Sequence, residues 1–220
     1  DYIGAGKSKF IFLNLKVPYI RQSRKSGYTF SHMPYEEQWK IWNHIWDNTS
    51  YFEAALCAVH YVNSRSIEEL HQYRKILLKW QKRVDNWALS DELSNCYSRL
   101  LEYDKSEILP KYQIWNKSNN PWERRQSMVG LLYYSRFRKK TLSCSKILSF
   151  VEPHLADQHY YVQKAVGWTL RECWNVYPQQ TMKFLKKYAA DIPPGGWTAA
   201  TEKLSKTSKD ELKMLRARKS

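Results

Sequence analysis

Arg83-Val84-Asp85-Asn86-Trp87-Ala88-Leu89-Ser90-Asp91 lies between two amphipathic helical patterns, and its reading decides the fold. Upstream, Ser66 with Glu69 makes a capping-box start for a helix that runs through Ile76, Leu77 and Trp80. Downstream, a further helix reaches about Leu101. The stretch is therefore a helix–helix junction. Trp87 and Asp91 are four residues apart, so an indole and a carboxylate share one helical face. The other neighbours of Asp91 on that face are Ala88, Ser94 and Asn95, and no Lys or Arg lies within one turn. A carboxylate beside an aromatic ring, without a local cation, is aimed at something outside the helix. The ordinary alternative is a surface aspartate in a first turn, where its charge suits the helix dipole.

Working outward, residues 1–33 mix glycine, basic and aromatic residues and read as an irregular or short-helical opening segment. Pro34 opens a helix over Tyr35 to Asp47, with Trp39, Trp42, Ile45 and Trp46 at core spacing. Ser50 and Glu53 suggest a capping box for a helix through Tyr61. After the junction, a helix spans about Ser106 to Trp115. Asn120-Pro121-Trp122-Glu123 then starts one expected to continue to Phe137. Two more follow, about Ser143 to Leu155 and Gln158 to Val176. Pro178 breaks the chain before a helix to Tyr188, and Pro193-Pro194-Gly195-Gly196 precedes one or two last helices. No stretch alternates in the manner of a strand. The fold expected is all-α, and the helix pairs recur at the period of HEAT-like arrays, which stack into a curved solenoid of antiparallel pairs.

The chain has 220 residues and 26.4 kDa, which suits one domain over 1–220, with residues 203–220 as a basic tail. A hydrophobic share of 43% excludes a disordered chain. The 36 Lys and Arg against 21 Asp and Glu leave a net charge of +15, which selects polyanionic partners, nucleic acid before a membrane surface. No apolar run approaches the length of a spanning helix. Cys57, Cys96, Cys144 and Cys173 form no C-x-x-C, which argues against zinc and against a disulfide framework, and fits a reducing cytosolic setting. The sequence begins at Asp1 without a methionine or a signal peptide, so a trimmed or partial chain is expected.

Two residues break their local patterns. Arg125 has Pro121, Trp122, Met128 and Val129 as its helical neighbours, so its guanidinium rises from an apolar stripe and must reach either a phosphate or a partner inside the protein. Arg124, beside Asn120 and Ser127, reads as an ordinary surface arginine. Trp168 is the reverse case: its neighbours are Lys164, Ala165, Arg171 and Glu172. It is either a site residue or an exposed tryptophan covered by aliphatic stems.

Asp157-Gln158-His159-Tyr160-Tyr161-Val162-Gln163-Lys164-Ala165-Val166-Gly167-Trp168-Thr169-Leu170-Arg171-Glu172, with Pro178 after it, resembles the signature helix of the bacterial DNA alkylation repair family of AlkD-like glycosylases. Trp122-Glu123-Arg124-Arg125 resembles that family's tryptophan–arginine helix start. Trp87-x-x-x-Asp91 matches the spacing of its catalytic tryptophan and aspartate. The similarity runs from about Phe10 to Lys203. One departure is visible, since members carry a second aromatic just before the first tryptophan where this chain has Asn86.

The resemblance implies an all-α HEAT-like fold and an enzyme that excises positively charged N3- or N7-alkylated purines from duplex DNA. It makes Asp91 the catalytic carboxylate, with Trp87 and Trp168 flanking the lesion nucleotide. Arg125 becomes the arginine on the DNA backbone, and Arg124, Lys164 and Arg171 complete the expected DNA-binding set. No metal, cofactor, membrane or obligate protein partner is expected, and the setting implied is the bacterial cytoplasm, at the nucleoid during repair. Two other classes share the basic surface: a non-catalytic HEAT-like protein that recognises bent or branched DNA by shape, and a helical scaffold for an acidic protein.

Overall fold

In a computed structural model the structure describes residues 7–217. Thirteen α-helices and no strand occur among them, with one isolated bridge between Ile11 and Tyr51. Where a single domain is expected over 1–220, the chain divides into two compact units, Asp1–Leu100 and Leu101–Ser220.

The first unit contains α1 (Val17–Ser26), α2 (Tyr35–Asn48), α3 (Phe52–Asn63), α4 (Ile67–Gln72), α5 (Arg74–Trp80) and most of α6 (Trp87–Tyr103). The expected tryptophan stripe is its core: Trp39, Trp42 and Trp46 are all buried. Trp46 stacks on Trp80 at 4.7 Å, Trp39 on Tyr73 at 4.3 Å, and Trp42 on Tyr61 at 5.4 Å. The Ser66–Glu69 capping box forms as expected. The one expected at Ser50 and Glu53 does not: α3 starts after Tyr51 without a side-chain cap. Glu53 is buried and accepts instead from the backbone N–H groups of Leu13 (3.0 Å) and Leu15 (3.3 Å). Its carboxylate pins the opening segment, a long-range use that local spacing does not encode.

The second unit is arranged around α10 (Tyr160–Val176), which packs on α8 (Pro121–Val129), α9 (Cys144–Val151), α11 (Pro178–Lys187) and α12 (Pro194–Thr201). α7 (Lys105–Asn116) packs on α8, and α13 (Lys206–Ala217) on α11. The basic tail is thus helical over most of its length. Leu212 is its buried anchor, and Arg216 donates to the Ile192 carbonyl at 2.7 Å.

The helix expected from Pro121 to Phe137 ends at Val129. Gly130 lies under the Tyr112 side chain, whose hydroxyl donates to the Gly130 carbonyl at 3.2 Å. The chain then turns through Tyr134, held in the left-handed region at φ 45°. Residues 130–143 therefore form a connecting loop that holds one 3-10 turn, Ser135–Phe137.

A close helix crossing explains a glycine in the signature helix. A Cβ on Gly167 would collide with the Gly196 carbonyl and come within 2.7 Å of its Cα, so α10 and α12 meet backbone to backbone. Gly195 is different: a Cβ there meets chiefly the Gln163 side chain, at 2.8 Å from its Oε1, which can move away. Gly167→Ala should therefore destabilise the fold by about 1–3 kcal/mol, and Gly195→Ala by much less. Urea unfolding of both variants checks this, and equal midpoints would contradict the close crossing.

Candidate active site and DNA-contact residues

Asn86 caps α6. It is fully buried, and its Oδ1 accepts from the Leu89 N–H at 3.0 Å. Its Nδ2 donates to Asp85 at 3.0 Å. Asp85 in turn accepts from the Ser8 hydroxyl at 2.8 Å and the Lys9 N–H at 2.5 Å. Where the resemblance implies a second aromatic, this chain has a helix cap, a buried amide that fixes where α6 begins.

With that start, Leu89, Leu93, Cys96, Tyr97 and Leu100 face the core. Trp87, Ala88, Asp91, Glu92, Asn95 and Arg99 form one half-buried stripe. Trp87 and Asp91 share it, as the spacing predicts. Ser94, expected beside Asp91, is buried and donates to the Ser90 carbonyl at 2.8 Å. Arg99 is occupied by the carbonyls of Asn63 (3.2 Å) and Arg65 (2.7 Å), which closes the end of α3.

A second carboxylate stands next to Asp91. Burial pushes the Glu92 carboxyl above its usual range, the charge of Asp91 adds to the rise, and Arg21 opposes it. His60 lies 3.9 Å from Glu92. Burial, then Arg24 and Arg21, push the His60 imidazole down to about 4, so it is neutral at pH 7 and the contact is not an ion pair.

The remaining candidates belong to the second unit. Arg125 is buried, at 5% exposure, and its Nη1 donates to the Tyr161 carbonyl in the first turn of α10 at 2.9 Å. Its side chain thus reaches a helix-end carbonyl, one of the two destinations left open by its apolar surroundings. Trp122, one turn earlier, packs on Tyr161 at 5.0 Å and on His159 at 5.8 Å.

Arg124 is not the solvated charge expected. It pairs with Asp157 at 2.7 Å and donates to the carbonyls of Ser118 and Asn119, both at 3.0 Å. These acceptors sit in loops that helical periodicity does not reach. An open pocket beside this pair is lined by Arg124, Asp157, Gln158 and His159.

Lys164 is exposed, with its ammonium 5.3 Å from the Tyr160 ring. Arg171 bonds Glu202 at 3.0 Å and Glu172 at 3.3 Å, and lies 5.5 Å from the Trp168 ring. Trp168 is half-buried and meets two rings edge-on, Tyr133 at 5.2 Å and Tyr134 at 5.6 Å. Its polar helical neighbours gave no sign of this, because both tyrosines come from the loop that the sequence pattern extends as helix. A Tyr-Tyr pair after Gly130 was the available signal.

The Asp157 carboxyl feels two opposing influences. Burial raises its pKa, but the Arg124 bond, the His159 N–H and the Arg124 charge more than offset this, and the net shift is downward. A carboxylate lowered in the folded state stabilises the fold above its ordinary range and loses that contribution as pH falls through the folded value. In Arg124→Ala burial acts without its main offset, so the variant should melt below the wild type near pH 7, and this downward shift should shrink as pH falls through the Asp157 range, where the carboxyl becomes protonated in both. Circular dichroism melts from pH 7 to pH 3 check the shift, and superimposed acid profiles would count against the Arg124–Asp157 pair.

Comparison with known proteins agrees with this architecture. The profile of the DNA alkylation repair enzyme family matches residues 2–204. Among solved structures, a predicted DNA alkylation repair enzyme from Enterococcus faecalis is similar at 19% identity, covering 90% of each chain with a TM-score of 0.69. AlkD2 from Streptococcus mutans is similar at 17% identity, covering 94% of this chain and 91% of its own, with a TM-score of 0.59. The smu.31 protein from Streptococcus mutans UA159 is similar at 16% identity, covering 91% and 90%, with a TM-score of 0.58. At these identities the structures establish the fold. No curated protein matches. The family profile spans nearly the whole sequence, from the opening segment through α12, and the chain belongs to the DNA alkylation repair enzyme family.

Proposed function

We propose that this protein is a monofunctional DNA glycosylase that removes positively charged N3- or N7-alkylated purines from duplex DNA, with Asp91 as its catalytic carboxylate. The observation that carries this reading is the pairing of Asp91 with Trp87 on one half-buried stripe of α6, in a chain of the DNA alkylation repair family.

The chemistry needs little else. An alkylated purine of this class is already a cation, so its glycosidic bond is weakened. When that bond breaks, the base keeps the bonding electron pair and leaves as a neutral molecule, and an oxocarbenium-like deoxyribose remains. A carboxylate stabilises that positive sugar and orients the water that attacks C1′ and then loses a proton. A protonated second carboxyl, which other glycoside hydrolases use on the leaving group, is not required. The indole face of Trp87 favours a cationic nucleotide. The proposed contact of Trp168 with that nucleotide rests on the resemblance alone.

Of the proposed DNA-binding residues, Lys164 is exposed and suits a backbone phosphate. Arg125 acts in this reading by fixing the first turn of α10 through Tyr161, and Arg124 and Arg171 by holding Asp157 and Glu172. The net charge of +15 supports a polyanionic substrate. Such an enzyme would work on bacterial chromosomal DNA in the cytoplasm. It would need neither a metal nor a protein partner for the chemistry.

The wild-type protein should release N7-methylguanine or N3-methyladenine from methylated duplex DNA without added metal. Asp91→Asn should retain the fold and duplex affinity while releasing base about 10²-fold more slowly, the scale for loss of an electrostatic transition-state stabiliser. Chromatography of free bases in single-turnover reactions measures both. Base release by Asp91→Asn at the wild-type rate would remove Asp91 from the mechanism. Firm duplex binding with no release by the wild type would favour the non-catalytic DNA-binding alternative.

A further inference from the structure

We propose that the loop between α8 and α9 is a second DNA-contacting element, in which Phe137 stacks on an unpaired nucleobase while Arg136, Lys139 and Lys140 hold the adjoining phosphates. The proposal rests on the reading of this protein as a DNA-binding enzyme, and adds to it a preference for locally opened DNA.

Gly130-Leu131-Leu132-Tyr133-Tyr134-Ser135-Arg136-Phe137-Arg138-Lys139-Lys140-Thr141-Leu142 contains four cations and no acid. Arg138 is paired with Glu102 at 3.5 Å, while Arg136, Lys139 and Lys140 are exposed. Phe137 is 60% exposed and Tyr134 is 39% exposed, so two neighbouring rings stand together at the surface. The Arg136 guanidinium lies 4.8 Å from the Phe137 ring and 5.3 Å from the Tyr134 ring. The rings and the guanidinium thus form one cationic aromatic surface. Its inner edge continues into the protein through Tyr134, which meets Trp168 at 5.6 Å and Phe137 at 6.1 Å.

This surface is held from beneath. Glu172, itself buried, accepts from the Ser135 N–H at 2.9 Å and the Ser135 hydroxyl at 2.8 Å. Glu102 accepts from the N–H groups of Lys139 (2.7 Å) and Lys140 (2.9 Å). Two carboxylates spent on loop backbone fix its path at both ends of the exposed ring. Between α8 and that ring, Tyr134 sits at φ 45° and ψ 79°, a conformation that costs free energy in a non-glycine residue. A loop that only joined two helices would need neither the strain nor the exposed phenylalanine.

The pattern has the two components by which proteins bind unpaired strands: aromatic faces for bases and cations for phosphates. Charge sets the class of occupant. A stack of exposed Arg and Lys around Phe137 complements a nucleic acid strand, and a neutral apolar protein face would leave those cations without counter-charges.

The test is binding of a fluorescent duplex carrying a short unpaired bulge, beside the fully paired duplex of the same sequence. Wild type should prefer the bulged DNA. Phe137→Ala should weaken binding to the bulged DNA about tenfold, within the range for losing one base–aromatic stack, and leave the paired duplex affinity as it was. Phe137→Trp should keep the preference. The double variant Lys139→Ala, Lys140→Ala should weaken both DNAs and make the salt dependence of affinity shallower by about two units. With 2-aminopurine in the bulge, wild type should quench its emission on binding and Phe137→Ala should not. Equal affinity of wild type and Phe137→Ala for bulged DNA, or unquenched 2-aminopurine in the wild-type complex, overturns the proposal. These outcomes are separate from the glycosylase reading: stacking through Phe137 without any base release defeats the enzyme assignment alone, and base release without a Phe137-dependent preference defeats this proposal alone.

Discussion

The start of α6 is set by one buried amide. Asn86 closes the first turn through the Leu89 N–H, and it is itself steadied by Asp85, which gathers the Ser8 hydroxyl and the Lys9 N–H. A helix advances by about 100° per residue, so Trp87 and Asp91 share a face as long as both lie inside α6, and the cap at Asn86 makes Trp87 the first residue of that helix. The cap therefore brings Trp87 into the helix whose half-buried stripe carries Asp91. It also gives the asparagine at this position a role of its own in the fold. The buried amide meets an orphan N–H at the helix end, which a ring in that position could not do.

The second unit solves a different problem, the placing of many guanidinium groups in a small helical body. Arg124 meets Asp157, Arg138 meets Glu102, and Arg171 bridges Glu172 and Glu202. Each removes a cation from the surface while bonding an otherwise distant segment, so the excess charge that remains on display is carried largely by lysines and by Arg136. Breaking such a pair leaves the other ion partly buried, which is why these arginines act on fold geometry as much as on charge. α10 is the common support. Gly167 admits α12 to its backbone, and Glu172 anchors the loop against which Trp168 packs.

Much of the helical order was legible because apolar spacing and caps are local. The tryptophans of α2, the Ser66–Glu69 box, and the proline starts of α8 and α11 all carry their own signals. The Trp87/Asp91 pairing followed from spacing alone. What stayed hidden was long-range. Glu53 has cap spacing but serves Leu13 and Leu15; Arg124 has surface neighbours but finds Asp157 thirty-three residues on. The end of α8 was missed because Gly130 stops the helix through its contact with Tyr112, which sequence distance conceals. That single misplacement hid the aromatic loop and with it the surroundings of Trp168.

The central claim is that the Asp91 carboxylate is complementary to positive charge developing on deoxyribose. It is tested most directly by equilibrium binding of duplex DNA in which one sugar is replaced by a cationic pyrrolidine mimic of the oxocarbenium state, compared with the same duplex carrying a neutral abasic analogue. Complementarity to the transition state predicts tighter binding of the cationic sugar by the wild-type protein, and loss of that discrimination in Asp91→Asn while the neutral duplex is bound equally by both. Equal discrimination by wild type and Asp91→Asn would contradict the account.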